Sequence, residues 1–228
     1  MQHLRRQWPA AVRDFSFDGT LRSVDASLRR LATNRVDILL IHEPIGPIGP
    51  VLNGAYRALE RLRSEGTVSA IGVGSTDVAQ LEAYARAADL DCLLLGYRYT
   101  LMDQTAERSL LPYAHARGIS VVVGGPFNSG ILAAPGPRAT YDNRPATAAE
   151  VRHARSLEAI AAGHGLSLKA AALQFPFTHP AVASVLVGVQ TVAELEENLD
   201  LMRAGVADAL WEEYRQEGLL AEAAPPAA

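Results

Sequence analysis

Five short apolar runs, each followed by the spacing of an amphipathic helix, constrain the fold of this chain more than any other feature. The runs are continuously apolar instead of alternating, which is typical of strands covered on both faces. Strands of this kind alternating with helices predict a parallel sheet, either doubly wound or closed as a (β/α)8 barrel. The predicted strands cover residues 36–42, 68–73, 92–95, 119–123 and 183–187.

The helices are predicted from apolar spacing and from their end signals. Side chains of Ser, Thr and Asp at a helix start accept hydrogen bonds from its first amides. Candidates for this role are Asp77, Ser167, Thr147 with Glu150, and Thr191 with Glu194. Helices are expected over residues 20–31, after a loop over 43–50, after Asp77, over 104–117, over 147–162, after Ser167, after Thr191, and around Trp211. We expect one domain over residues 1–220 and a loose tail over 221–228.

His42 ends the first predicted strand, and Pro44 prevents that strand from continuing. A histidine in the middle of such a run is typical of a hydrogen-bonded core residue. At the carboxyl end of a parallel strand, it lies where α/β folds place their chemistry. His42 is therefore a candidate functional residue.

Composition excludes several classes of function. A net charge of -4 and a pI near 5.9 are not typical of nucleic-acid-binding proteins. Cys92 is the single cysteine, so we expect a buried, inert thiol and no cysteine-based metal site. His115, His153 and His164 lack paired metal-ligand spacing and are expected to be solvated helix residues. No run is long enough to cross a membrane, and we expect a cytoplasmic protein.

The segments after the predicted strands contain the remaining candidates for chemistry. Residues 124–130 offer three glycines, an Asn and a Ser, whose backbone amides could bind a phosphate. Gly188, just before a capped helix, is a second candidate, and two such loops would suit a dinucleotide. The chain has no GxGxxG motif, which disfavours a Rossmann site.

Several motifs resemble the aldo-keto reductase family. They are residues 14–23, beginning Asp-Phe-Ser-Phe-Asp-Gly-Thr, and residues 27–31 leading to Asp-Ile-Leu-Leu-Ile-His42. Residues 96–101 (Gly-Tyr-Arg-Tyr-Thr-Leu) and 124–132 (Gly-Gly-Pro-Phe-Asn-Ser-Gly-Ile-Leu) are similar to its aldose 1-dehydrogenase branch, which includes L-fucose, D-threo-aldose and pyridoxal dehydrogenases. The resemblance implies a (β/α)8 barrel, a nicotinamide dinucleotide, and an oxidoreductase acting on a sugar-like or small alcohol or aldehyde.

The resemblance also implies roles for particular residues. His42 matches the histidine that donates a hydrogen bond to the carbonyl or hydroxyl being converted. Gly74 and Ser75 match the segment that holds the carboxamide. Gly125, Pro126, Phe127, Asn128 and Gly130 match the pyrophosphate loop, and Gly188, Gln190, Glu194 and Asn198 match the segment around the adenosine. Because the carboxylate of Glu194 would repel a 2′-phosphate, NAD is expected in preference to NADP.

The resemblance implies a departure from the family as well. Members catalyse hydride transfer with an Asp, a Tyr and a Lys in addition to the His. This chain is expected to start at the helix before strand four, without the first three strands and those three residues. Lys169 is the only lysine and lies on a late predicted helix, while Tyr97 or Tyr99 is considered as a replacement acid.

Two consequences of this departure are expected. The first is that strands four and eight become open sheet edges and that the interior face of the partial barrel exposes an apolar patch, which a second copy or a partner chain would cover. The second is a pair of functional hypotheses: an NAD-linked oxidoreductase, or a catalytically inactive homologue that binds nucleotide or a partner protein.

Overall fold

The computed structural model describes residues 13–221. Residues 222–228, which make up nearly all of the expected tail, lie outside this range. The chain divides into two compact units, Met1–Ile71 and Gly72–Ala228. The expectation of one undivided domain over residues 1–220 stays a prediction.

The first unit contains a helix, a strand and a second helical segment before β2 begins. Its elements are α1 (Phe17–Leu31), β1 (Val36–His42), α2 (Ile48–Val51), a π-helical turn (Leu52–Tyr56) and α3 (Arg57–Ser64). Strand β1 lies beside the start of β2 (Val68–Ser75). The strand ends at His42 as predicted.

Both helical segments of this unit begin earlier than predicted. Helix α1 starts at Phe17 because the Ser16 hydroxyl accepts the Gly19 amide at 3.1 Å. Helix α2 starts at Ile48 and includes Pro50, which the first turn of a helix tolerates because its missing N–H has no partner there. The expected loop over 43–50 is therefore shorter. Gly66 has φ +76° and follows the helix end, as predicted.

Strand β1 is less buried than its apolar sequence suggested. Ile41 is its only buried residue, and Ile38 is 51% exposed. The reason is that β1 is an edge strand of the sheet. The expectation of a fully buried strand before His42 was wrong.

Over its described residues, 72–221, the second unit contains the rest of β2, eleven further α-helices and β-strands, and short 3-10 turns. In chain order they are α4 (Val78–Ala87), β3 (Cys92–Gly96), α5 (Leu110–Ala116), β4 (Ser120–Gly124), β5 (Thr140–Tyr141), β6 (Arg144–Pro145), α6 (Ala148–Gly163), α7 (Leu168–Gln174), β7 (Val182–Leu186), α8 (Val192–Arg203) and α9 (Asp208–Gln216). Strands β2, β3, β4 and β7 are neighbours in that order and all parallel. The predicted parallel α/β sheet is confirmed.

The register brings the carboxyl ends of these strands to one edge. Gly96 of β3 is paired with Gly124 of β4, which in turn is paired with Leu186 of β7. The loops after β3, β4 and β7 therefore start beside one another. At the opposite end, Gly72 approaches Cys92 so closely that a Cβ would lie 2.0 Å from the Cys92 carbonyl oxygen.

The predicted helix caps are confirmed. The side chains of Asp77, Thr147, Ser167 and Thr191 each accept a hydrogen bond from the backbone amide three residues ahead.

One predicted helix is broken: residues 105–108 form a 3-10 turn, and α5 begins only at Leu110. Pro112 lacks an amide hydrogen, so it fits the first turn of a new helix better than the interior of a continuous one.

Burial confirms the role expected for Cys92. The side chain is buried, and burial raises the pKa of its thiol to about 11, with a further contribution from Asp91. None of the described helices combines the length and apolar character needed to span a bilayer.

Strand β7 has an unpaired outer edge within residues 13–221. Beside it, large apolar side chains are exposed on the strand, on the loop after it and on α8. They are Leu186 (54%), Val189 (41%), Val192 (72%), Leu195 (46%), Leu199 (47%) and Met202 (37%). The expected open edge of the last strand is confirmed, and the apolar patch on the interior face stays a prediction.

Candidate nucleotide and substrate site

In the first unit, His42 is exposed at the carboxyl end of β1. It borders a cleft of about 490 Å³ whose other polar lining side chains are Arg13, Asp14, Thr20, Ser23 and Ser27. The chain turns directly after it, because Glu43 has φ +43° and its carbonyl accepts a hydrogen bond from Arg13 Nη1 at 3.4 Å. The imidazole is therefore available to a ligand at the strand end, as the sequence predicted.

In the second unit, the glycine-rich loop follows β4 and makes its own turns. The Asn128 amide donates to the Gly125 carbonyl at 2.9 Å, and the Gly130 amide donates to the Phe127 carbonyl at 2.9 Å. The Gly125 amide donates to Leu186 of β7 at 3.2 Å. Three amides expected to bind a phosphate are thus used within the protein, and the loop offers fewer donors than the sequence suggested.

The Tyr97 ring packs against this loop. A Cβ at Gly125 would lie 2.3 Å from Cε1 of Tyr97, so the ring fills the space that a side chain at Gly125 would need. Tyr97 itself has φ +63°. Its amide donates to the Gly124 carbonyl at 2.9 Å, and its carbonyl accepts from Asn128 Nδ2 at 3.3 Å. The glycine at position 125 is explained by the Tyr97 ring and by its own φ of +67°.

A β-hairpin that the sequence analysis did not identify is bonded to the same loop. Strands β5 and β6 are joined by Asp142 and Asn143, whose φ values are +48° and +60°. The Asn143 amide donates to Ser129 Oγ at 2.9 Å, and the Thr140 hydroxyl donates to the Ser129 carbonyl. The Asp-Asn pair is the available sequence signal, because both residues tolerate the left-handed region that such a turn needs.

Arg98 holds the hairpin from the other side. Its Nη1 lies 2.7 Å from Asp142 Oδ2 and 3.1 Å from Asp103 Oδ2, and its Nε donates to the Thr76 carbonyl at 3.1 Å. Burial lowers the pKa of this guanidinium, but hydrogen bonds and charges of the two carboxylates outweigh burial and raise it. Arg98 is therefore a permanent cation that links three chain segments.

Backbone strain and unpaired polar atoms are concentrated in this assembly. Seven non-glycine residues of the described chain have positive φ, and five of them are Tyr97, Asn128, Ser129, Asp142 and Asn143. Asn128 Oδ1 and Asp142 Oδ1 are buried side-chain atoms without a hydrogen-bond partner. Such features persist where the surroundings over-determine them, and they cluster at ligand sites.

Comparison with known proteins shows the family of the chain. Residues 8–215 match the aldo/keto reductase family. The chain belongs to the aldo/keto reductase family. A pyridoxal 4-dehydrogenase from Microbacterium luteolum is 37% identical over 224 residues, covering 92% of this chain and 64% of the relative. A D-threo-aldose 1-dehydrogenase from a Pseudomonas species is 36% identical over 222 residues, covering 95% of this chain and 65% of the relative.

A solved structure supports the same fold. The holo form of an aldo-keto reductase from Bacillus halodurans superposes with a TM-score of 0.73 at 25% identity, covering 93% of this chain and 70% of that structure. The expected fold class, the TIM-barrel type of the aldo/keto reductases, is thereby confirmed, with five parallel strands in the described chain. The chain spans less than two thirds of the length of the two curated relatives.

For an aldo/keto reductase, the segment expected to hold the carboxamide is tightly packed. Ser75 is 2% exposed, and its hydroxyl accepts the Asp77 amide at 3.1 Å. Gly74 faces Leu94, whose Cβ would lie 3.4 Å from a Cβ at Gly74. The structure brings both residues to the end of β2, and their contact with a carboxamide stays a prediction.

The segment expected around the adenosine lies at the start of α8. Gly188, Gln190 and Glu194 are exposed there, and the Glu194 carboxylate accepts the Gln190 amide at 2.7 Å. Asn198 is buried and lines an apolar cleft of about 320 Å³ together with Leu195. Glu194 thus combines an exposed negative charge with a hydrogen bond at the helix start. Because its carboxylate bonds the Gln190 amide, only the Thr191 half of the predicted capping box is formed, in which the Thr191 hydroxyl accepts the Glu194 amide.

Tyr99, which was considered as a replacement acid, and Lys169, the only lysine of the chain, both bond to other side chains of the protein. Tyr99 is 1% exposed, its hydroxyl bonds Thr178 Oγ1 at 3.1 Å, and burial raises its pKa to about 12. Lys169 Nζ lies 2.6 Å from Glu197 on α8. Tyr99 is therefore a core residue, whereas Tyr97 stays half-buried at the loop.

Two histidines differ from their predicted environment. His153 is half-buried, and burial lowers its pKa; His164 Nε2 lies 2.6 Å from Glu213. Their expected full solvation was wrong, because α6 packs on α7 and α9. Within residues 13–221 there is no cluster of three side chains suited to holding a metal ion.

Proposed function

We propose that this chain is an NAD-linked oxidoreductase that acts on a sugar-like or small alcohol or aldehyde. His42 donates a hydrogen bond to the substrate oxygen, and the Gly125–Gly130 loop with the start of α8 holds the dinucleotide. The names of the two relatives, a pyridoxal 4-dehydrogenase and a D-threo-aldose 1-dehydrogenase, support this class of substrate. The observation that carries the proposal is the strained, partly unsatisfied assembly around Asn128.

The residues present suit a nicotinamide dinucleotide. Asn128 Oδ1 is an acceptor without a donor, so it fits a ribose hydroxyl or a carboxamide N–H better than a phosphate oxygen. Beside the loop, a cleft of about 640 Å³ is lined by Ser129 and Gly130, with Arg138 and Glu158 as its charged side chains. The Arg138 cation suits a diphosphate, whereas the Glu158 carboxylate opposes one. When bound, the nicotinamide supplies the hydride chemistry. The chain's own residues bind it and orient the substrate.

Calorimetry with NAD⁺, followed by an assay of NAD⁺ reduction with L-fucose, tests this proposal. Binding with turnover supports the oxidoreductase. Binding without turnover favours the alternative, a catalytically inactive homologue that binds nucleotide. Absence of NAD⁺ and NADP⁺ binding by the folded chain would overturn both.

The preference for NAD gives a separate prediction. Glu194→Gln removes the exposed negative charge while its carbonyl oxygen can still accept the Gln190 amide. We expect NADP⁺ to bind about three- to tenfold more tightly and NAD⁺ affinity to change less than about twofold, since only the 2′-phosphate is repelled. A relative named NADH-specific methylglyoxal reductase, from Escherichia coli, agrees with an NAD preference. Titration of both nucleotides checks this, with Glu196→Gln as control, and equal changes for both nucleotides would contradict it.

We also propose that a second copy of the chain covers the exposed apolar residues beside β7. An unpaired strand edge next to exposed Leu195 and Leu199 favours association. Sedimentation velocity should show concentration-dependent association that the double change Leu195→Glu and Leu199→Glu shifts towards monomer. Ala193→Glu, an exposed position on the same helix, should leave the association unchanged. A monomeric wild-type chain at high micromolar concentration would contradict this.

A further inference from the structure

The Tyr97 backbone is in a conformation that a tyrosine rarely adopts. Its φ of +63° lies in the left-handed region, which a bulky side chain occupies only when neighbouring contacts enforce it. Two hydrogen bonds enforce it here, from the Tyr97 amide to Gly124 and from Asn128 to the Tyr97 carbonyl. Both partners belong to the glycine loop or its strand end, so the strain of Tyr97 and the shape of the loop are coupled.

The Tyr97 ring completes this coupling. The ring occupies the space over Gly125, the first turn residue of the loop. It lies so close that a methyl group on Gly125 would overlap with it. The Gly125 carbonyl in turn accepts the Asn128 amide at 2.9 Å. The ring thus contacts the loop at one end while the Tyr97 carbonyl holds the Asn128 side chain at the other.

We propose that Tyr97 is a positioning residue for the nucleotide: its ring and its left-handed backbone hold the Gly125–Gly130 loop, and with it the Asn128 carboxamide, in a binding-ready geometry. This inference rests on the proposed function for its ligand, a nicotinamide dinucleotide. The role does not use the hydroxyl. It also differs from that of a replacement acid, which would need the phenol proton.

Three substitutions separate the contribution of the Tyr97 ring from that of its left-handed backbone conformation. Tyr97→Phe keeps both the ring and the left-handed strain. Tyr97→Ala removes the ring but keeps a Cβ at positive φ, whereas Tyr97→Gly removes the ring and the strain together. The Gly variant should therefore unfold at a higher denaturant concentration than the Ala variant, the reverse of the usual order.

Nucleotide affinity, unlike stability, should depend on whether the Tyr97 ring is present. We expect Tyr97→Phe to bind NAD⁺ within about twofold of wild type, and both Ala and Gly variants to bind about tenfold more weakly. A purely structural role predicts that affinity follows stability, so that the Gly variant binds better than the Ala variant. That result would overturn the proposal.

Hydrogen exchange measured without nucleotide tests whether Tyr97 holds the loop, and this test is valid even if NAD⁺ does not bind. Amides of residues 127–133 should exchange about tenfold faster in the Ala and Gly variants and at the wild-type rate in Tyr97→Phe, while α6 amides stay unchanged. Tyr113→Ala, which removes a half-buried ring away from the loop, is the matched control. Unchanged loop exchange in both ring-deleted variants would overturn the positioning role, whereas absent NAD⁺ binding by wild type would overturn only the proposed function.

Discussion

Gly125→Ala is expected to lower the free energy of unfolding by about 2–4 kcal/mol and to weaken NAD⁺ binding by about thirtyfold or more. Two effects add. The new residue must hold φ near +67°, and its Cβ would lie 2.3 Å from Cε1 of Tyr97. The ring must then move, and the loop turn closed by Gly125 and Asn128 moves with it. Urea denaturation gives the change in stability, and calorimetry gives the affinity.

Gly205→Ala is the matched control for this experiment. Gly205 lies in the segment between α8 and α9, away from the cleft proposed for the diphosphate, its φ is outside the left-handed region, and an added Cβ would meet nothing within 4 Å. We expect a change within about 0.5 kcal/mol in stability and no loss of affinity. Equal effects of the two substitutions would show that Tyr97 does not occupy the position over Gly125.

The strands and the caps of this chain were predictable because local residues determine them. Continuous apolar runs indicate parallel strands, and the predicted ends at His42 and near Gly124 agree with the structure. Asp77 and Thr147 cap their helices with their own side chains, so the signal and the contact are only three residues apart. The apolar run of β1 misled only about burial, which depends on the position of the strand at a sheet edge.

The candidate site was predictable in position but not in shape. Sequence motifs located the glycine loop, but they gave no sign of its hydrogen bond from the Gly125 amide to Leu186 of β7, a residue far away in the chain. The left-handed backbone of Tyr97 has no local signal, since Gly or Asn would be the usual residue there. The link between Arg98 and Asp142 spans 44 residues, and no spacing rule connects them.

Arg98→Ala should destabilise the chain by about 2–3 kcal/mol, because it leaves two partly buried carboxylates without their cation. The side chains of Asp103 and Asp142 are 18% and 25% exposed, so solvent compensates for only part of the loss. Arg98→Lys keeps the charge but cannot contact Asp103, Asp142 and the Thr76 carbonyl together, and should lose about 1 kcal/mol. Arg152→Ala, an exposed arginine of α6, should change stability by less than about 0.5 kcal/mol.

A double-mutant cycle assigns the Arg98 effect to the hairpin. Asp142→Asn in the Arg98→Ala background should recover about 1–2 kcal/mol of the loss, because the uncompensated charge is removed. Amide exchange at residues 140–144 should rise in Arg98→Ala and return towards the wild-type rate in Arg98→Lys. If Arg98→Ala were no more destabilising than Arg152→Ala, the hairpin would be held by the Ser129 hydrogen bonds alone. The cation would then contribute nothing to the shape of the nucleotide loop.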